Sequence, residues 1–103
     1  MKKITLIGMM GSGKTTLGKI LSEKTNISAI DIDELIEQNE NSTITDIFKN
    51  QGEEYFRKIE AETIKELINS NAQQILSLGG GAFENVKTRE LLLNNSVVIY
   101  LET

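Results

Sequence analysis

The chain has 103 residues, room for one small domain that buries about 60–65% of the surface its unfolded form exposes. Its 39% apolar and 25% charged residues are ordinary for a globular protein. A net charge of −4 with no basic block gives no footprint for nucleic acid or an acidic membrane. Cysteine and histidine are absent, which excludes disulfides and thiolate metal sites and leaves a carboxylate or water as any proton acceptor.

Taken in chain order, Met1-Lys2-Lys3 leads straight into a four-residue apolar strand, Ile4 to Ile7. That is far too short for a signal sequence or a membrane span, and a cytoplasmic location is expected. Thr16 to Lys24 reads as a helix, Ser28 to Asp31 as a second strand, and a helix is expected near Glu34 to Gln38. Asn39 to Ser42 forms a turn, Thr43 caps a short helix through Phe48, and Gln51-Gly52 breaks it. Glu53 to Asn69 is the longest helix, with Phe56, Ile59, Ile64, Leu67 and Ile68 on one face. Gln74 to Leu78 is a third strand, Val86 to Leu93 a helix, Asn94-Asn95 a turn, and Val97 to Leu101 a fourth strand. Alternating strands and helices argue for an α/β domain with a parallel sheet covered by helices.

The run Gly8-Met9-Met10-Gly11-Ser12-Gly13-Lys14-Thr15 has the spacing of a phosphate-binding P-loop, between a strand and a helix. Glycines let backbone N–H groups close on phosphate oxygens, and the helix N-terminus adds donors and positive potential. Lys14 can reach the outer phosphates and the Thr15 hydroxyl can hold Mg²⁺. The ligand implied is a nucleoside triphosphate. A glycine-rich connection with an exposed lysine is the plain alternative.

Asp31 and Asp33 lie where the second strand ends. On an extended segment, residues two apart point the same way, towards the crevice beyond the strand ends. Helix capping by Asp31 is the competing reading. The third strand carries no acid where P-loop proteins place the aspartate that supports Mg²⁺, so Asp31 is the nearest candidate to help the metal. Gly79-Gly80-Gly81 after that strand would let a ligand lie against bare backbone, or would serve as a flexible connection. Arg57 is suited to gripping an acidic substrate, but from spacing alone a surface ion pair with Glu60 is the simpler reading.

GMMGSGKTT from Gly8, DID from Asp31, GEEYFRKIE from Gly52, SLGGGA from Ser77 and VVIYLET from Val97 occur in the order and at the intervals of shikimate kinases. The chain resembles the first three-fifths of that family's domain. The resemblance implies a three-layer α/β/α P-loop kinase fold, with four strands of a five-stranded parallel sheet of order 2-3-1-4-5. It implies transfer of the ATP γ-phosphoryl group to the 3-hydroxyl of shikimate. Gly11, Ser12, Gly13, Lys14, Thr15 and Thr16 would wrap the ATP phosphates, with Lys14 also catalytic. Thr15 would ligate Mg²⁺ and Asp31 would support it through water. Asp33 would bind shikimate hydroxyls and accept the attacking hydroxyl's proton. Arg57 would grip the substrate carboxylate, and Gly79, Gly80 and Gly81 would contact shikimate. Residues 1–33 and 71–103 would form the core, and the helices at about 34–70 the substrate-binding part. ATP and shikimate are the expected partners, with no nucleic acid or membrane, and the complete domain would be a monomer.

Thr103 directly follows the fourth strand, where a doubly wound domain sends the chain back through another helix. An N-terminal portion of a longer domain is therefore expected, with an apolar face of strand four uncovered or its edge unpaired; cover by another subunit is the alternative. The family carries a lid arginine, a second substrate arginine and an adenine-binding segment beyond this point. Lacking them, the chain alone would be weakly active or inactive, since such arginines are worth on the order of 10³-fold in rate. Two other functions stand beside this one: a non-catalytic P-loop nucleotide-binding module, and a related small-molecule kinase such as gluconate kinase. A dinucleotide-binding fold is the weakest option, because Lys14-Thr15 has no purpose in its loop.

Overall fold

The computed structural model of the chain describes residues 3–8, 14–70 and 73–101. Strand β1 (Lys3–Gly8) is followed by α1 (Lys14–Thr25), β2 (Ser28–Asp31), α2 (Ile32–Glu40), α3 (Ile44–Gln51) and α4 (Glu53–Asn69). Then come β3 (Gln74–Leu78), a short α5 (Gly80–Glu84), α6 (Val86–Asn95) and β4 (Ser96–Leu101). The four strands are all parallel, in the order β2-β3-β1-β4.

Side chains alternate across the sheet, so register assigns each strand residue a face. Ile7, Leu76 and Leu78 join a core with Ile32, Ile36, Ile47, Phe56, Ile64, Ile68, Ala82 and Leu92 from α2 to α6. Leu6, Ile75 and Ser77 fall on the opposite face, where α1 packs on β1, β2 and β3. A Cβ at Gly18 of α1 would lie 3.7 Å from Leu6 Cδ1, ordinary contact. Helices therefore cover both faces, giving the three-layer α/β/α arrangement.

Local chemistry places most helix ends. Asp31 caps α2, its Oδ1 accepting from Glu34 N at 3.2 Å, so α2 begins at Ile32 rather than near Glu34. Thr43 caps α3 by accepting from Asp46 N at 3.1 Å. At φ 92°, Gly52 takes a conformation that side chains disfavour and serves as both the end of α3 and the start of α4. Tyr55 Oη donates to Glu40 Oε1 at 2.6 Å, tying α4 to the end of α2.

Two expectations are corrected. Asn94-Asn95 is not a turn: α6 runs through Asn95 and passes directly into β4. Asn95 Nδ2 donates to Leu91 O and Ser96 Oγ to Leu92 O, which ties the last turn of the helix to the start of the strand without a loop. The segment after β3 is not an open connection, since Gly79 precedes a helical turn starting at Gly80. Of the apolar face expected on α4, Phe56, Ile64 and Ile68 are buried, whereas Ile59 and Leu67 flank the core. Val97 and Tyr100 of β4 are exposed. No described helix is long and apolar enough to cross a membrane.

Candidate active site

The C-terminal ends of parallel strands are where open α/β sheets bind ligands. Here the ends of β1, β2 and β3 carry the P-loop, Asp31 and Gly79. Gly11, Ser12 and Gly13 lie outside the described residues, as do the side chains of Lys14, Thr15 and Thr16; the backbone from Lys14 onward opens α1.

The two aspartates do not share an extended segment. Asp31 is the last residue of β2, and Asp33 is in the first turn of α2. The Asp31 cap starts the helix between them, so they divide between two settings. Asp31 lines a cavity of about 210 Å³ with Gly18, Lys19, Ala29, Ile30, Glu34, Ile75 and Ser77, on the α1 side of the sheet. Asp33 lies close enough to Glu60 of α4, on the other side, for its charge to raise the Glu60 pKa. The cap and the cavity position coexist in Asp31, because only one of its carboxylate oxygens is occupied by Glu34 N.

Arg57 does pair with Glu60, through Nη1 and Oε1 at 2.8 Å, but not as a surface pair. The Glu60 side chain is only 6% exposed, against 35% for Arg57 and 72% for Glu53, whose Oε1 is 3.8 Å from Arg57 Nε. The guanidinium also lies 5.2 Å from the centroid of the Phe56 ring, and Phe56 in turn packs on Phe48 at 4.8 Å between ring centres. A Cβ on Gly81 would fall 2.6 Å from Arg57 Nη2 and 3.0 Å from Cζ and Nη1. Arg57 is thus clamped between Glu60, an aromatic ring and the glycine turn, while a Cβ at Gly79 would meet nothing within 4 Å. The surroundings of Gly80 lie outside what is described. This fixed, half-buried guanidinium is a fork suited to a carboxylate.

Glu60 is the residue that sequence reading passed over as a simple ion-pair partner. The signal was available: positions 56, 60, 64 and 68 form one i, i+4 series whose other members are apolar. A carboxylate in the middle of a buried stripe needs a cation, and Arg57 provides one. Burial is the largest influence on Glu60 and lifts its carboxyl above the usual range; Arg57 pulls it down, and the Asp33 charge adds to the rise. The folded state therefore holds this proton more tightly than the unfolded chain. The resulting stability is fully present below the ordinary glutamate value and is lost as pH rises through the raised one. Thermal unfolding from about pH 4.5 upward should show that decline, and Glu60→Gln should flatten it. Matching slopes in parent and variant would reject this assignment.

Among the described residues no three acidic side chains cluster to cage a metal. The oxygen donors present suit Mg²⁺, which keeps several waters and takes few protein oxygens when phosphates complete its shell. Asp31 offers a carboxylate to this side of the cavity, and Thr15 stands one helical turn before Gly18 and Lys19.

A family model described as shikimate kinase matches residues 10–103. A shikimate kinase of Sulfurihydrogenibium sp. is 45% identical over 102 residues, 99% of this chain and 61% of that protein. The structure of shikimate kinase from Acinetobacter baumannii in complex with shikimate superposes with a TM-score of 0.94 at 38% identity, covering 100% of this chain and 57% of that one. A gluconokinase from Sinorhizobium meliloti, at 18% identity and a TM-score of 0.62, shares the fold. The chain thus spans about three-fifths of the length of such relatives. With the family model matched over all but its first nine residues, the chain belongs to the shikimate kinase family.

Proposed function

We propose that the protein carrying this chain phosphorylates the 3-hydroxyl of shikimate with ATP, in the cytoplasm and as a monomer. The observation that carries this reading is the clamped Arg57 guanidinium against Gly81, on the same side of the sheet as Asp33. It offers a carboxylate-binding fork beside a carboxylate that can meet an alcohol. Membership of the family, with a relative whose structure is in complex with shikimate, supports the choice of acceptor.

Phosphoryl transfer depends mainly on positioning and on neutralising charge at the phosphate oxygens. In this proposal the loop amides and Lys14 hold the triphosphate, with Gly11, Ser12, Gly13, Thr15 and Thr16 around it. Arg57 and the Gly79–Gly81 backbone fix the acceptor, and Asp33 orients the 3-hydroxyl and takes its proton. Mg²⁺, held by Thr15 and supported by Asp31, would supply further charge neutralisation when bound. The helices at about 34–70 act as the substrate-binding part, and residues 1–33 and 71–103 as the core.

Coupled ADP release tests the proposal, with Mg²⁺, ATP and either shikimate or gluconate, on this chain alone and joined to the remaining part of a family member. Shikimate-dependent release is expected, at least in the joined form. Release with gluconate alone would reassign the acceptor, and Mg²⁺-dependent ATP binding without any release would favour a non-catalytic nucleotide-binding module.

A further inference from the structure

The bond between Tyr55 and Glu40 joins two helices without capping either. Tyr55 Oη donates to Glu40 Oε1 at 2.6 Å, the short separation of a hydroxyl bonded to an ionised carboxylate. That bond raises the phenol's pKa, so the hydroxyl stays protonated and donating at neutral pH. Both residues are half-buried, and the Tyr55 ring packs against the core.

Other groups satisfy the helix ends nearby. At the end of α2, Asn41 in the left-handed conformation (φ 52°) returns its N–H to Glu37 O. Glu37 Oε2 accepts from Ile44 N at 2.8 Å, and Thr43 caps α3. Gly52 N bonds to Ile47 O and Phe48 O before α4 begins. The Tyr55 bond is therefore not needed to form α2 or α4. What it fixes is how the start of α4 lies against α2, across junctions at Asn41 and Gly52 that both depart from helical geometry.

Each of these two helices carries a group of the proposed acceptor site. Asp33 and Glu40 are seven residues (40 − 33) apart on α2, about two turns, and hence on one side of that helix. Tyr55 and Arg57 are the third and fifth residues of α4, and residues two apart on a helix do not face each other. The phenol is thus turned away from the guanidinium. Its bond also lies about 10 Å along α2 from Asp33, beyond an acceptor held between Asp33 and Arg57. Its influence passes through the helix backbones.

We propose that Tyr55 and Glu40 are positioning residues for phosphoryl transfer, their bond setting the Asp33 carboxylate and the Arg57 guanidinium to the span of the hydroxy-acid acceptor. This rests on the function proposed above. Such support matters because a misplacement of about 1 Å, even from a change far from the chemistry, can cost about 10²-fold in rate.

The test is steady-state kinetics on the full protein, well below its melting temperature, with shikimate and ATP varied in turn. Tyr55→Phe keeps the packed ring and removes only the hydroxyl. It should raise the shikimate KM and lower kcat, a loss of about 10-fold in kcat/KM, with the ATP KM unchanged. Glu40→Ala should give the same loss, and the two changes together no more than either alone. Glu40→Gln keeps an acceptor oxygen and should recover most of the parent's value. A bond that merely stabilises the fold would lower the melting temperature of Tyr55→Phe and leave kcat/KM within about twofold of the parent. That outcome would overturn the proposal. So would losses that multiply in the double variant, since the two residues would then act separately. A parent without shikimate-dependent turnover would instead overturn the proposed function and this inference with it.

Discussion

Asp33→Asn is expected to lower shikimate turnover by about 10²–10⁴-fold, the range for a positioned proton acceptor, while ATP binding is retained. The separation follows from the fold: Asp33 sits on α2 facing α4, whereas α1 and Asp31 occupy the other side of the sheet. Asparagine keeps the shape and removes only the charge. Proton transfer in a loose transition state comes late, so Asp33 need not be a strong base. Turnover within about threefold of the parent would end that role. A second readout is independent of catalysis. Because the Asp33 charge raises the Glu60 pKa, the variant should also weaken the decline of stability with rising pH.

Arg57→Ala is expected to raise the shikimate KM about 100-fold or more, as for truncating one partner of a hydrogen-bonded charge pair, with the ATP KM little changed. It also strands Glu60, whose side chain is 6% exposed. The stability cost is about 1–2 kcal/mol, below that of a fully buried pair because the Arg57 side chain is 35% exposed. Glu60 limits the loss by taking up a proton. Arg57→Lys should recover little, since a point charge replaces a planar fork. Gly81→Ala gives a milder form of the same defect. Its Cβ would meet the guanidinium at 2.6 Å, and the far end of the Arg57 side chain would be pushed out of its setting, moving the fork without unfolding the domain. An unchanged shikimate KM in Arg57→Ala would return this residue to a purely structural pair.

Much of the architecture was legible because local patterns and the fold agree. Continuous apolar strands, the Thr43 cap, the Gly52 break and the i, i+4 stripe of α4 each act within a few residues. The strand-loop-helix spacing of the P-loop is likewise a local property. The extended reading of the D-x-D segment failed, because a cap that forms one hydrogen bond, from Glu34 N to Asp31, turns the chain into a helix between its two acids. The Asn-Asn pair misled for a similar reason: the Asn95 side chain, of a type that favours turns, bonded instead to the Leu91 carbonyl one turn back.

The chain's own sequence thus determined the order of elements, the phosphate-binding spacing and the family, since these are written in neighbouring residues. Only the tertiary structure decided which acids and cations meet. It buried Glu60 beneath Arg57, set that guanidinium against Gly81 and aligned Ser77 with Asp31. Those pairings join residues 24 and 46 positions apart (81 − 57 and 77 − 31), or depend on how deeply a helix face is covered. No short-range spacing encodes either one; strand register and helix packing set them.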